Sequence, residues 1–424
     1  MLTQTCTERD GLTHAVFLRR LAGAHSATSA DARLGNGAFL ALRLVDLLGP
    51  GGEPAHPDAF RYQHAATERM CRELPTNSTE GAHVTGIVRA AADAFREHDV
   101  RVVVPALFAY AHYLENGLRL EESLDVLDSM LRVAATSLEL SDAVAAHLRI
   151  GRVNRKLNRF DEGDAAYARA GHLATAAGDS RGVLLSRAGR AIALQGRGNL
   201  AEAENVLKQV VGDARAGGHS EVQAGVQHAL GATLLLRGQV GEGILHVWHA
   251  FEAYEDVTSR VRALGDLGTM LLTIGEVAAA ERALLEVLRR GDGMEDVASN
   301  AMVELMHCAS YRRDRVGFER WRVACQSRVG GMPPNILADF HLKAGIGQAR
   351  FGRFGQAERS METALGIAEA AGLNEFVFRV ERIKNGLRGC EAEHCIASDS
   401  AAEPFQSIDS GVREVAASLA ELGG

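Results

Sequence analysis

A chain of 424 residues that is 46% hydrophobic but only 5% aromatic must fill its core with alanine, leucine and valine, which suits closely packed helices. Its formal charge of −8 argues against a chain whose main role is to coat nucleic acid or an anionic membrane, leaving only local basic patches for such contacts. Eight prolines leave long stretches without a helix breaker, and 45 glycines recur as turn punctuation, so helices separated by glycine turns are expected.

The N-terminus, Met1 to Gly11, is polar with mixed charge and lacks a basic-then-apolar leader, and no apolar run approaches the length of a membrane span. The expected location is the cytoplasm. Leu34 to Leu48, Asp58 to Leu74 and Thr79 to His98 read as helices, with Asn77 and Glu80 resembling a capping box. Between the first two, the proline- and glycine-rich run Gly49 to Pro57 predicts a break in stacking.

From residue 104 one local pattern recurs: a turn, an apolar residue, then acidic or small residues that open a new helix. It occupies Asn116 to Ser123, Asn158 to Gly163, Gly198 to Ala203, Gly238 to Gly243, Gly275 to Ala280 and Gly352 to Ala357, with a weaker copy at Arg313 to Phe318. The final residues fall at 123, 163, 203, 243, 280, 318 and 357, spaced by 40, 40, 40, 37, 38 and 39. Twelve residues before five of them stand Gly151, Ala191, Gly231, Gly268 and Gly345, small enough for two helices to approach. Apolar residues between the turns follow helical spacing, as in Leu124, Leu127 and Leu131. Each unit therefore reads as helix, turn, helix, with acids placed at the positive end of the second helix dipole.

After the repeats, Leu373 to Arg388 suits a polar terminal cap and Gly389 to Gln406 a linker. Ile408, Val412, Val415, Leu419 and Leu422 then form an apolar stripe at steps of 4, 3, 4 and 3. That last helix is expected to cap the final repeat, with entry into the repeat groove or dimerisation as alternatives. The chain divides into an N-terminal helical segment (1–56), a degenerate repeat (57–103), about seven repeats (104–372), a capping helix (373–388), a linker (389–406) and an amphipathic helix (407–424).

The repeats resemble tetratricopeptide repeats, specifically the longer variety of about 40 residues in MalT-like bacterial regulators, over roughly Val104 to Gly372. The small-small pairs that carry the resemblance are Gly151/Gly163, Ala191/Ala203, Gly231/Gly243, Gly268/Ala280 and Gly345/Ala357, followed four residues on by Tyr167, Leu207, Val247, Leu284 and Met361. Met306 and Phe318 depart from the pattern. The resemblance implies an all-α superhelix of helix-turn-helix repeats, with first helices lining a concave groove.

Arg149, Arg152, Arg155 and Lys156, with Arg159 just beyond, run at steps of three to four along one first helix, and Arg187 and Arg190 stand on the equivalent helix of the next unit. Two readings apply: a solvated, partly salt-bridged face, or a site for acidic side chains or a terminal carboxylate of a partner segment. Tyr311 to Arg315 and Arg320 to Arg322 interleave aromatics with arginines in a way that suits base stacking, although Phe318 and Trp321 also fit a core. Cys390, His394 and Cys395 lack the fourth ligand of a structural zinc site, and His246 and His249 lack a carboxylate partner. The six cysteines are too dispersed for a disulfide framework and are expected as reduced thiols.

Only four basic residues, Lys156, Lys208, Lys343 and Lys384, are lysine, leaving 42 arginines; codon bias of a GC-rich genome and selection for bidentate anion recognition both account for this. No phosphate loop, catalytic triad or paired-carboxylate arrangement can be nominated. The expectation is a non-enzymatic interaction scaffold or adaptor without cofactor or metal, binding a protein or peptide segment of acidic character, and neither nucleic acid nor membrane. The alternative is a peptide- or small-effector-sensing regulator of MalT-like type acting through a partner.

Overall fold

The computed structural model describes residues 12–23, 29–49, 56–135, 137–392 and 410–422. Among them there are twenty α-helices and no strand. The chain divides into two compact units, one ending at Gly198 and one beginning at Asn199. Residues 50–55 of the expected break, the segment 393–406 and the Cys390, His394 and Cys395 side chains lie outside the described residues.

The first unit holds α1 (Ala15–Gly23), α2 (Ala30–Asp46), α3 (Pro57–Arg72), α4 (Thr79–Glu97), α5 (Val104–Asn116), α6 (Leu120–Val133), α7 (Leu140–Lys156), α8 (Phe160–Ala177) and α9 (Ser180–Gly196). The second holds α10 (Leu200–Ala216), α11 (Ser220–Leu236), α12 (Val240–Ala253), α13 (Val257–Thr273), α14 (Val277–Arg290), α15 (Glu295–Tyr311), α16 (Arg315–Gln326), α17 (Pro334–Arg350), α18 (Phe354–Ala370), α19 (Asn374–Ala392) and α20 (Ser410–Glu421). Partners within a repeat are α5 with α6, α7 with α8, α11 with α12, α13 with α14, α15 with α16 and α17 with α18. First helices also pack on the next first helix, as α7 does on α9 and α15 on α17. The protein is an all-α stack of tetratricopeptide-like helix pairs.

The small-small pairs explain why the two helices of a repeat approach so closely. A Cβ placed on Gly231 would stand 2.8 Å from the Gly243 carbonyl oxygen and 2.5 Å from Val247 Cγ2, so any side chain there would force the pair apart. A Cβ on Gly151 would meet the Tyr167 ring at 2.8 Å, which places the large residue four beyond the second small one directly over the first. The deviant repeat solves the same problem differently: Met306 and Phe318 are both fully buried, and Phe318 lies against Gly347 of the following first helix.

The residue five before each repeat marker has a positive φ in every repeat: Leu118, Asn158, Gly198, Gly238, Gly275, Arg313 and Gly352. This left-handed residue ends the first helix and turns the chain into the second. Four of the seven positions are glycine, which adopts that conformation without steric cost; Leu118 at 57° and Arg313 at 57° do so with a Cβ in place.

Two sequence expectations are corrected here. The cap of α4 is Ser78, whose hydroxyl accepts from the Gly81 backbone N–H at 3.0 Å, and not Asn77. Glu80 is drawn instead into a buried group in which Tyr110 Oη donates to its Oε1 at 2.9 Å and Arg20 Nη2 donates at 3.0 Å. The amphipathic helix α20 does not cap the final pair α17 and α18; Val412, Val415, Leu419 and Leu422 of its apolar stripe rest on α12 and α14, and Ile408 lies outside the described residues. The last pair already has a cover in α19, which packs on α18 and buries Val380 completely.

Candidate functional site

Glu115, in the last turn of α5, is the anchor of the basic face. Its side chain is 1% exposed and receives three cations from α7: Arg149 Nη1 on Oε2 at 2.7 Å, Arg152 Nε on Oε1 at 2.7 Å and Lys156 Nζ on Oε1 at 2.8 Å. The steps 149, 152 and 156 place these three on one side of α7. Burial by itself would raise the Glu115 carboxyl, but Arg152, Lys156 and Arg149 together hold it below the ordinary carboxylate value. Burial also pushes the Lys156 ammonium down, with Glu115 opposing the shift. His112, one turn before Glu115, is lowered by burial and by Arg149, whose Nη1 lies 2.7 Å from its Nδ1.

The remaining candidates do not join this group. Arg155 is turned toward the second helix of its own repeat, where it hydrogen-bonds Tyr167, and its Nε is buried without a hydrogen-bond partner. Arg159 pairs with Glu121 of α6, its Nη2 lying 2.5 Å from Oε1. Arg190 is engaged by Asp164 of α8, Nε to Oδ1 at 2.9 Å, and Arg187 is half-buried.

A second charged group lies on first helices of the other unit, and the sequence reading missed it. Lys343 on α17 is 7% exposed and sits 2.5 Å from Glu304 Oε1 on α15 and 2.5 Å from Asp339 Oδ2 one turn back. Arg379 on α19 reaches Asp339 Oδ1 at 3.1 Å, and Thr269 on α13 donates to Glu304 Oε1 at 3.2 Å. Burial would lower the Lys343 ammonium, but Asp339 and Glu304 more than offset it and keep it charged. His307, pushed down to about 2 by burial and by the charges of Lys343, Arg350 and Arg379, is neutral. The signal that could have found this group is the period itself: Glu304 and Lys343 are 39 apart, Asp339 and Arg379 are 40 apart.

The aromatic-arginine segments are engaged internally. Phe318 is in the core, and Arg350 lies over the Tyr311 ring at 3.7 Å from its centroid. Among the described residues no cluster of three or more His, Cys, Asp or Glu side chains could hold a metal ion, and no helix is long and apolar enough to cross a membrane.

The chain thus has the fold of a tetratricopeptide-like repeat protein. Neither a family model nor a curated protein matches its sequence. Among solved structures it is similar to the Rap conjugation gene regulator of the plasmid pLS20 in complex with the Phr* peptide, at TM-score 0.53 and 11% identity, over 79% of this chain and 97% of that one. It is also similar to the apo form of the quorum sensor NprR from B. thuringiensis, at TM-score 0.50 and 9% identity, over 82% of this chain and 90% of that one. At these identities the likeness establishes the fold.

Proposed function

We propose that the protein is a peptide-binding adaptor whose first-helix face around Glu115 holds an acidic segment of a partner protein. The observation that carries this reading is a local imbalance of charge. Around Glu115 three cations meet one carboxylate, whereas around Lys343 two cations, Lys343 and Arg379, meet two carboxylates, Glu304 and Asp339. A balanced group satisfies itself, and an unbalanced one gains from an added anion. Arg152 is the accessible member, 57% exposed on its side chain while bonded to Glu115 through Nε, so its two terminal nitrogens are the groups available to a bidentate carboxylate. The structural neighbour from plasmid pLS20 was solved with a peptide bound, which supports a peptide as the class of ligand.

The test is fluorescence anisotropy against a set of eight-residue peptides graded from basic to acidic, with wild type and Arg152→Glu. Acidic peptides should bind wild type best, and reversal of Arg152 should weaken them at least tenfold while flattening their salt dependence. Equal binding of acidic and neutral peptides, or no effect of the reversal, overturns the assignment.

A further inference from the structure

The helix α20 points to a second docking surface, away from the first-helix face. Its Val412, Val415 and Leu419 are each at most 2% exposed and share a core with residues of α12 and α14, while Arg413, Glu414 and Glu421 face solvent. Gly411 comes so close to α12 that a Cβ there would lie 2.8 Å from Leu245 Cδ2. Two arginines of α14 hold the helix by its backbone: Arg282 Nη2 donates to the Ala416 carbonyl at 3.3 Å and Arg289 Nη2 to the Leu422 carbonyl at 3.2 Å. The second contact places a cation on the carbonyls at the end of α20, the negative end of its dipole.

Both supporting helices are the second helices of their repeats. Among the described residues of the second unit, successive second helices such as α12 and α14 do not pack closely on each other, whereas the first helices α13 and α15, and α15 and α17, do. The second-helix side therefore leaves a trough between α12 and α14, and α20 fills it. This occupant is weakly built for permanence. It has twelve residues, near the lower limit at which a helix persists by itself, and inserts three fully buried side chains, so the entropy of ordering it is comparable with what its burial returns. Elements that bury few side chains belong to the low-stability end of a fold.

We propose that the trough between α12 and α14 is a docking site for an amphipathic helix of a partner and that α20 is its built-in competitor. The partner helix presents small or branched apolar residues at i, i+3 and i+7, the pattern of Val412, Val415 and Leu419, and ends within reach of Arg289. Access to the trough then requires displacement of α20, so the affinity seen by the partner is reduced by the fraction of molecules in which α20 is docked. This surface is independent of the Glu115 site.

A labelled peptide of residues 407–424 is the probe, with the full-length chain as receptor. Leu419→Asp in the chain releases α20 and leaves the trough intact. The Leu419→Asp chain should bind the wild-type peptide at least tenfold tighter than the wild-type chain does. A peptide carrying Leu419→Asp should not bind, and adding Leu245→Asp to the Leu419→Asp chain should abolish capture of the wild-type peptide. Failure of the Leu419→Asp chain to bind the wild-type peptide, or equal binding by both chains, overturns the proposal. If far-UV circular dichroism shows the Leu419→Asp chain unfolded, Leu419→Ala carries the same comparison, with the same two outcomes deciding it.

Discussion

Replacing Glu115 by glutamine tests the centre of the proposed site, because it keeps the shape and removes the one anion on which three cations converge. Truncating one partner of a buried charge pair costs about 3–5 kcal/mol when the other charge is left buried. Here the cations are only partly buried: their side chains are 27%, 57% and 26% exposed and gain water contacts when the carboxylate charge is removed. Solvent screening therefore discounts the cost to about 2 kcal/mol. The assay is urea unfolding by far-UV circular dichroism, read as a lower midpoint at unchanged slope. The pH dependence has a fixed sign. Because the folded carboxyl is held below its ordinary value of 4.5, the contribution is complete above that value and is lost as pH falls through the folded value. Wild type and Glu115→Gln should therefore converge in acid. A difference below about 0.5 kcal/mol at neutral pH, the range of an ordinary surface substitution, would refute the argument that Glu115 organises this face.

Two further outcomes follow from the backbone and from the first helix. Leu118→Gly and Arg313→Gly each place glycine at a left-handed turn position and should raise stability by up to about 1 kcal/mol, the relieved Cβ strain outweighing the added freedom of the unfolded chain; differential scanning calorimetry checks it, and a lower melting temperature in both would contradict the strain assignment. His14 has Nδ1 2.5 Å from Asp125 Oδ2 and Nε2 2.9 Å from Asp46 Oδ2, which calls for a doubly protonated ring joining α1 to α2 and α6. Burial would lower its pKa, but the hydrogen bonds to Asp125 and Asp46 raise it above 6.5, so the stabilisation is complete below 6.5 and is lost as pH rises through the folded value. Hydrogen exchange of α1, corrected for intrinsic rates, should therefore accelerate relative to α2 as pH rises, and a constant ratio would exclude the linkage.

What the sequence disclosed was what each repeat needs for itself. The turn with its left-handed residue, the small-small pair and the large residue four beyond are local requirements, so they recur in register and can be read without coordinates. Gly231, Gly243 and Val247 illustrate this, since the approach of two backbones dictates all three residues. The basic face of α7 was legible as a helical stripe, but not that Arg149, Arg152 and Lys156 share one carboxylate while Arg155 turns away. That division depends on where α5 lies against α7, a relation between repeats. The same holds for α20, whose stripe announced an apolar partner without saying which helices would supply it.

The polar contacts between repeats have a logic that links these cases. Glu115 with Lys156, Glu121 with Arg159, Glu304 with Lys343 and Asp339 with Arg379 are separated by 41, 38, 39 and 40 residues, each close to one period. Apolar burial is non-directional, and successive repeats offer similar apolar surfaces, so burial by itself would tolerate a shift of one helix along the next. A charge-assisted hydrogen bond does not tolerate such a shift, because its strength depends on distance and angle within a few tenths of an ångström. The one-period pairs therefore fix the register with which one repeat meets the next, and stability passes from neighbour to neighbour through them. In this scheme the Lys343 group is what a register device looks like when its charges balance. The Glu115 group shares the one-period spacing, lies nearer the ends of its first helices, and carries cations beyond those that register needs, and that surplus is the physical reason for proposing the ligand there.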